Sequence, residues 1–299
     1  MEIVIDKINK SFGKNLIVKD ISFSIKEGKI TALVGENGSG KTTIMKIISG
    51  LYKSDSGNVY NLPYKENIVD VCAVIENSSF NGMMNCKEIL KYYVDLNVEK
   101  REEFDYYIKL FNIDFLEKSF YKLSLGMKQK LSIIYMFLKK SKLVLLDEIT
   151  NGLDKNTVKI FYEELKRYVI ENNAYVLISS HKLNEIQMIC DYVYFLKNNS
   201  ISNLVDIKNE LSNNKMKSFI FLEKKDALNF MGEINKSTEL INENEVIVYY
   251  ESLDDISYLI SIANKHKVDQ IKKYDLLLED IYMQYLRGDK IWKKKFISL

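Results

Sequence analysis

Apolar positions along this chain fall into two alternating regimes. Short β-type runs stand at Ile3–Ile8, Ile21–Ile25, Ile30–Val34, Val69–Ile75, Leu143–Leu146, Tyr175–Ser179 and Tyr192–Leu196. Between several of them apolar residues recur every three to four positions, which predicts helices over Thr43–Ser49, 155–172 and 182–190. From Lys87 to Leu138 only the helical spacing remains, carried by Ile89, Leu90, Tyr93 and Leu96 and then by Phe104, Tyr107, Ile108 and Phe111. Alternating β and α elements around a mostly helical insert predict an α/β parallel-sheet core with a helical subdomain, about 80–140.

After about Ser200 the pattern restarts. Phe219–Leu222, Glu245–Tyr249 and Val268–Ile271 have strand character, with a weaker strand at Thr238–Ile241; Ala227–Ile234, Ile256–Ala263 and Leu276–Leu286 have helical spacing. The order β-α-β-β-α-β is the ferredoxin-like order of small α+β domains. The polar stretch Lys208–Lys217 separates the two patterns. The expected organisation is a first domain over 1–205, a linker over 206–217 and a C-terminal α+β domain over 218–299.

Charge changes little in this picture. The 299 residues carry 43 basic and 41 acidic side chains, a formal balance of +2. Such near-neutrality supplies no general attraction for nucleic acid or membrane, and no nucleic-acid partner is expected. The three cysteines, Cys72, Cys86 and Cys190, are odd in number, far apart and in no metal-binding spacing. Buried packing in a reducing setting fits them better than disulfides. No run approaches the roughly 18 apolar residues of a membrane-spanning helix, and Met1–Asp6 lacks the basic-then-apolar design of a signal peptide. The expectation is a soluble protein, or one held at a membrane by a partner.

Chemistry enters at Gly35-Glu36-Asn37-Gly38-Ser39-Gly40-Lys41-Thr42. This run fits G-x-x-x-x-G-K-[ST], a glycine-rich turn that aims backbone N–H groups at nucleotide phosphates. In it Lys41 reaches the β/γ-phosphates, Thr42 offers a hydroxyl to Mg²⁺, and Thr43 continues into the helix. The apolar run before the turn and the helical spacing after it supply strand, loop and helix, so that the helix N-terminus adds its dipole to an anion site. A turn that binds nothing is the competing reading, and these flanks count against it. The second chemical element is the run Leu143–Leu146 ending in Asp147-Glu148. A carboxylate pair at the C-terminal edge of a parallel strand lies where phosphates bind. There Asp147 suits water-mediated holding of Mg²⁺, and Glu148 suits polarising an attacking water.

The third is Leu123-Ser124-Leu125-Gly126-Met127-Lys128-Gln129, ahead of a helix expected over Lys130–Leu138. On physical grounds alone Ser124 is a helix cap. The run also resembles the signature motif of ATP-binding cassette (ABC) ATPases, in a form frequent in prokaryotic exporters. Other landmarks of that family follow in order. Phe12 stands where the family places an aromatic under adenine, Asn151-Gly152-Leu153-Asp154 resembles the D-loop, and Ser179-Ser180-His181 resembles the switch region.

This resemblance implies a P-loop NTPase of the ABC type using ATP and Mg²⁺. It gives nucleotide-binding roles to Phe12, Gly35, Asn37, Gly38, Ser39, Gly40, Lys41, Thr42, Thr43, Ser124 and Gly126. Metal binding falls to Thr42, Asp147 and Glu76, and catalysis to Glu148, His181 and Glu76. It implies a homodimer, each ATP lying between the phosphate loop of one copy and Ser124–Gly126 of the other. Separate transmembrane permease subunits would dock near Glu76 and the helical insert, holding the chain at the cytoplasmic face of the membrane. The Leu277-Leu278-Glu279-Asp280-Ile281-Tyr282 run is similar to a common ending of the family.

Three positions depart from the family pattern: Glu76 replaces a usual glutamine, Ile149 a proline and Met127 a glutamine. Neither of the last two needs its usual side chain for chemistry. The glutamate form resembles ATPase subunits of lantibiotic and bacitracin-type self-protection exporters, which makes an antimicrobial peptide the expected cargo. Export of a lipid, polysaccharide or ion remains open, as does, further off, a ribosome- or DNA-directed ATPase of the same superfamily. The cationic and aromatic tail Lys290–Phe296 reads as a solvated end or a lipid contact.

Overall fold

The computed structural model describes residues 1–75, 80, 82–94, 101–212, 216–234, 236, 238–250, 252–274 and 276–287. Its chain divides into two compact units, one formed by Met1–Asp206 with the chain from Tyr285, the other by Ile207–Gln284.

The first unit opens with β1 (Glu2–Phe12) and β2 (Asn15–Lys26), an antiparallel hairpin turned at Gly13. Their inward positions, among them Ile3, Ile5, Ile21, Phe23 and Ile25, alternate along each strand and bury one face. Next come β3 (Lys29–Gly35), α1 (Lys41–Ile48) and β4 (Ser56–Tyr60), the last pairing with β1. A small hairpin, β5 (Tyr64–Lys65) with β6 (Ile68–Val69), precedes β7 (Val71–Val74). The run expected as one strand over Val69–Ile75 is thus broken at Asp70. Asp70 N donates to Pro63 O at 2.8 Å, while its carboxylate accepts from Lys142 N at 3.0 Å and its carbonyl from Leu143 N at 3.0 Å. Asp70 is where the chain leaves the hairpin and enters the main sheet.

The helical insert holds α2 (Cys86–Val94), α3 (Arg101–Leu110) and α4 (Leu125–Lys139), with a short 3₁₀ turn at Phe120–Lys122. Then follow β8 (Leu143–Asp147), α5 (Lys155–Asn172), β9 (Tyr175–Ser180), α6 (Leu183–Ile189), β10 (Tyr192–Lys197), β11 (Ser200–Ile201) and β12 (Val205–Asp206). The main sheet has the order β11-β10-β3-β9-β8-β7, with β12 also on β10; β10, β3, β9, β8 and β7 run parallel. Every residue of β8 and β9 is buried, as expected where both faces of a parallel sheet are covered. Cys72, Cys86 and Cys190 are free and buried, and burial raises the thiol pKa of Cys72 to about 12 and of Cys86 to about 11. These thiols are packing groups at neutral pH. Among the described residues no helix is long and apolar enough to cross a membrane.

The second unit starts with α7 (Ile207–Ser212), and β13 (Met216–Phe221) begins inside the segment expected to link the domains. Of the polar stretch 208–217, residues 208–212 thus belong to a short helix, which buries Ile207, and 216–217 to the start of a strand. After β13 come α8 (Lys224–Glu233), β14 (Thr238–Leu240), β15 (Glu245–Tyr249), α9 (Leu253–Lys265), β16 (Val268–Lys273) and α10 (Leu278–Arg287). The sheet order is β14-β15-β13-β16 with every pair antiparallel, the arrangement of a split β-α-β pair. A capping box between Ser252 and Asp255 starts α9 three residues before the apolar spacing does. Phe230 anchors the core, its ring centroid 5.1 Å from that of Phe219 and 5.0 Å from that of Phe221. Phe230→Ala should cost about 3–5 kcal/mol of this unit's stability. Calorimetry should show its unfolding transition move down; an unmoved transition would show that the cavity closes.

Candidate functional site

Strand β3 delivers the phosphate loop. At its end, a Cβ on Gly35 would lie 2.7 Å from both Leu196 O and Ser39 Oγ, so only glycine fits. Gly40 takes φ 103°, a left-handed value that glycine adopts without strain, and turns the chain into α1. No side chain caps α1, so its first-turn N–H groups stand ready for an anion. Ser39 Oγ is buried without a hydrogen-bond partner, an orphan that a phosphate oxygen would satisfy. Lys41 is buried, and its Nζ donates to Gly35 O at 2.8 Å and Glu36 O at 3.0 Å. Burial lowers the Lys41 pKa against the smaller opposing pull of Glu148 and Asp147. A buried ammonium held by two carbonyls is a receptor for negative charge.

Strands β8 and β9 supply the carboxylates. Asp147 ends β8 opposite Ser179 of β9, and Ser179 Oγ donates to Asp147 Oδ1. The other oxygen, Oδ2, accepts from Thr42 Oγ1 at 2.5 Å. This hydroxyl and this carboxylate are hard oxygen donors of the kind Mg²⁺ takes. Among the described residues no cluster of three or more His, Cys, Asp or Glu could cage a metal by itself. A cation here would therefore draw its remaining ligands from phosphate and water, the usual habit of Mg²⁺.

Glu148 leaves the strand at φ 50°, a left-handed conformation uncommon for a non-glycine residue. Its N–H donates to Ser179 O at 3.2 Å. Its Oε1 stands 3.1 Å from His181 Nδ1, and its Oε2 accepts from Asn151 Nδ2 at 3.3 Å. Backbone strain at such a carboxylate persists only where its surroundings over-determine it.

Lys41, Thr42, Asp147 and Glu148 share a cavity of about 420 Å³ that Phe12, Ile17, Asn37, Gly38, Gly40, Thr43, Lys46 and Tyr52 also line. Gly35, Ser39, Ser179 and His181 stand behind its wall or at its margin rather than in its lining. Phe12 is 45% exposed, enough for a planar ligand to lie on its ring. Tyr52 meets Phe12 edge-on at 5.6 Å. Tyr52, Lys46 and Ile17 line the cavity though nothing local in the sequence marks them. Ser179 and Asn151 were legible only as members of longer motifs.

Ser124 and Gly126 do not line this cavity. Ser124 caps α4 by accepting from Met127 N at 3.3 Å, and the helix begins at Leu125, five residues before the expected start. Gly126 lies in that first turn against Gly152, where an added Cβ would be 2.4 Å from Gly152 O. Asp154 accepts from Thr157 N and Oγ1 at 2.9 and 2.7 Å and so starts α5. The chain thus carries two separate clusters, one around Lys41 and one joining Ser124–Gly126 to the turn at Gly152. Glu76 and the tail Lys290–Phe296 lie outside the described residues.

A family model described as "ABC transporter" matches residues 18–151. The chain is 32% identical over 212 residues to the "Uncharacterized ABC transporter ATP-binding protein YdbJ" of Bacillus subtilis (strain 168), covering 68% of this chain and 69% of that protein. To the "Bacitracin transport ATP-binding protein BcrA" of Bacillus licheniformis it is 25% identical over 296 residues, 95% of this chain and 97% of the relative. A solved dimeric structure of a bacterial ABC transporter cassette superposes with a TM-score of 0.61 at 22% identity, over 69% of this chain and 98% of that one.

Proposed function

The chain belongs to the ATP-binding proteins of ABC transporters, and from that premise we propose that it drives export of an antimicrobial peptide through separate membrane-spanning subunits. It is an ATPase, as its family is. The observation that carries the assignment of its active site is the meeting of Thr42 with Asp147, and of Glu148 with His181, around the cavity of the phosphate loop.

In this reading the N–H groups of Gly38–Thr43 and the Lys41 ammonium bind the ATP phosphates, and Phe12 stacks on adenine. Thr42 and Asp147 hold Mg²⁺, which when bound neutralises charge on the phosphates. Ser179 fixes one Asp147 oxygen and leaves the other to the metal side. Glu148 holds and polarises the attacking water, while Asn151 and His181 fix its carboxylate. With Nδ1 on Glu148, His181 has Nε2 left for the γ-phosphate. By the family resemblance, Glu76 would offer the metal a charged oxygen in place of a neutral amide. The site is half of a whole: Ser124–Gly126 of a second copy closes over ATP, because the chain's own Ser124 does not reach the cavity. Met1–Asp206, with the chain from Tyr285, form the ATPase domain and Ile207–Gln284 an accessory domain.

Similarity to a bacitracin transport protein along 95% of the chain, second unit included, supports the peptide cargo. The test compares cells that carry the permease with and without this chain. The chain should lower sensitivity to the exported peptide, and its Glu148→Gln form should not. Equal sensitivity in all three strains would contradict the cargo assignment.

A further inference from the structure

Beside the catalytic pair, three side chains, from the turn after β8, from α5 and from the residue before α6, meet on one carboxylate. Glu185, in the first turn of α6, accepts on Oε2 from Thr150 Oγ1 at 2.9 Å and from Tyr162 Oη at 2.7 Å. Its Oε1 pairs with Lys182 Nζ at 3.3 Å, and the same ammonium donates to Thr150 Oγ1 at 3.3 Å. Thr150 and Tyr162 are buried, and Glu185 is 24% exposed at its side chain. Burial, with the Glu185 carboxylate close by, holds the Tyr162 phenol well above its ordinary pKa, so it remains a donor.

The partners sit next to catalytic residues, one on each side. Thr150 precedes Asn151, which holds Glu148 Oε2, and lies two residues after Glu148 itself. Lys182 follows His181, and Lys182 N donates to Ser180 Oγ at 3.0 Å. The two turns that carry Glu148 and His181 leave different strands, β8 and β9. Beyond the strand ends, Glu185 joins these turns through its hydrogen bonds to Thr150 and Lys182. Tyr162 ties the junction to α5.

We propose that Glu185 is a positioning residue for hydrolysis, a hub that locks the turn after Glu148 to the turn after His181 and so sets their 3.1 Å contact. The inference rests on the catalytic roles proposed above for Glu148 and His181. Glu185 touches neither nucleotide nor the reacting water. Its loss lets the two turns drift, and a misplacement of about 1 Å in such a site costs on the order of 100-fold in rate.

The test is steady-state ATPase of the full-length chain across ATP concentration. Glu185→Ala should lower kcat about 10–100-fold, the range seen for supports of site ligands, and leave the KM for ATP within about twofold. Glu185→Gln, which keeps an acceptor and loses the charge on Lys182, should fall between. On a His181→Ala background, Glu185→Ala should add less than about threefold, because residues acting through one another are non-additive. Tyr162→Phe leaves the packing intact and should still lower kcat, which keeps the proposal open to test if Glu185→Ala does not fold. Wild-type kcat with a lowered melting temperature would overturn it by showing a merely structural role. Fully multiplicative losses would overturn it by placing Glu185 elsewhere in the mechanism. If Glu148→Gln and His181→Ala themselves hydrolyse at wild-type rate, the catalytic assignment falls and this inference with it. If those two are slow and every Glu185 and Tyr162 variant is normal, the inference alone falls.

Discussion

Glu148→Gln should bind ATP as the wild type does and lose hydrolysis by about 10²–10⁴-fold, the contribution of a positioned general base. The substitution keeps the shape of the side chain and one oxygen to accept from His181, so the turn at φ 50° has no reason to move. What disappears is the negative charge that polarises water. Lys41, Thr42 and the loop N–H groups are untouched, and they carry binding. A radioactive or fluorescent ATP titration beside a phosphate-release assay separates the two effects. Hydrolysis at the wild-type rate would mean that another group positions the water.

Lys41→Ala should remove nucleotide binding and leave the empty protein at least as stable. With two of its three protons on Gly35 O and Glu36 O, the ammonium has one charge-assisted hydrogen bond for phosphate, about 1.5–3 kcal/mol. That translates to at least roughly 10–10²-fold in affinity before its general attraction for the phosphates is counted. Folding without nucleotide responds in the opposite direction. Burial lowers the Lys41 pKa against the smaller opposing pull of Glu148 and Asp147, so the ammonium is less favoured in the folded state than in water. Removing it relieves the desolvation at any pH where the lysine would be charged. Wild-type chain should gain about 2.7 kcal/mol of stability at an ATP concentration 100 times Kd. Thermal melts should show that gain in the wild type and none in Lys41→Ala, whose nucleotide-free melting point stays level or rises. An ATP-dependent shift surviving in the variant would remove Lys41 from the phosphate site.

The parts of this fold that can be read locally are those whose residues carry their own signal. The apolar runs behind β8 and β9 and the 155–172 spacing of α5 match the elements to within a residue. The phosphate loop is equally plain, because its glycines stand at a fixed motif spacing and Gly40 meets a need of its own backbone. By contrast, β4 alternates exposed and half-buried residues and exists by pairing with β1, some fifty positions earlier. The start of α4 is hidden because Gly126 breaks the apolar spacing, and the Ser124 cap decides it. The contacts of the site are harder still. Thr42 reaches Asp147 across 105 positions and Tyr162 reaches Glu185 across 23, and neither spacing carries a period. Tyr52 lines the cavity only because the chain returns to Phe12 after α1.

At the centre of the account is a site split between two copies, with Lys41 of one facing Ser124 of the other. Analytical ultracentrifugation of the Glu148→Gln chain, with and without Mg²⁺ and ATP, tests it most directly. A monomer that becomes a dimer only with ATP, and fails to do so when Ser124 is also replaced by arginine, is the predicted result. A chain that binds ATP and stays monomeric would contradict it.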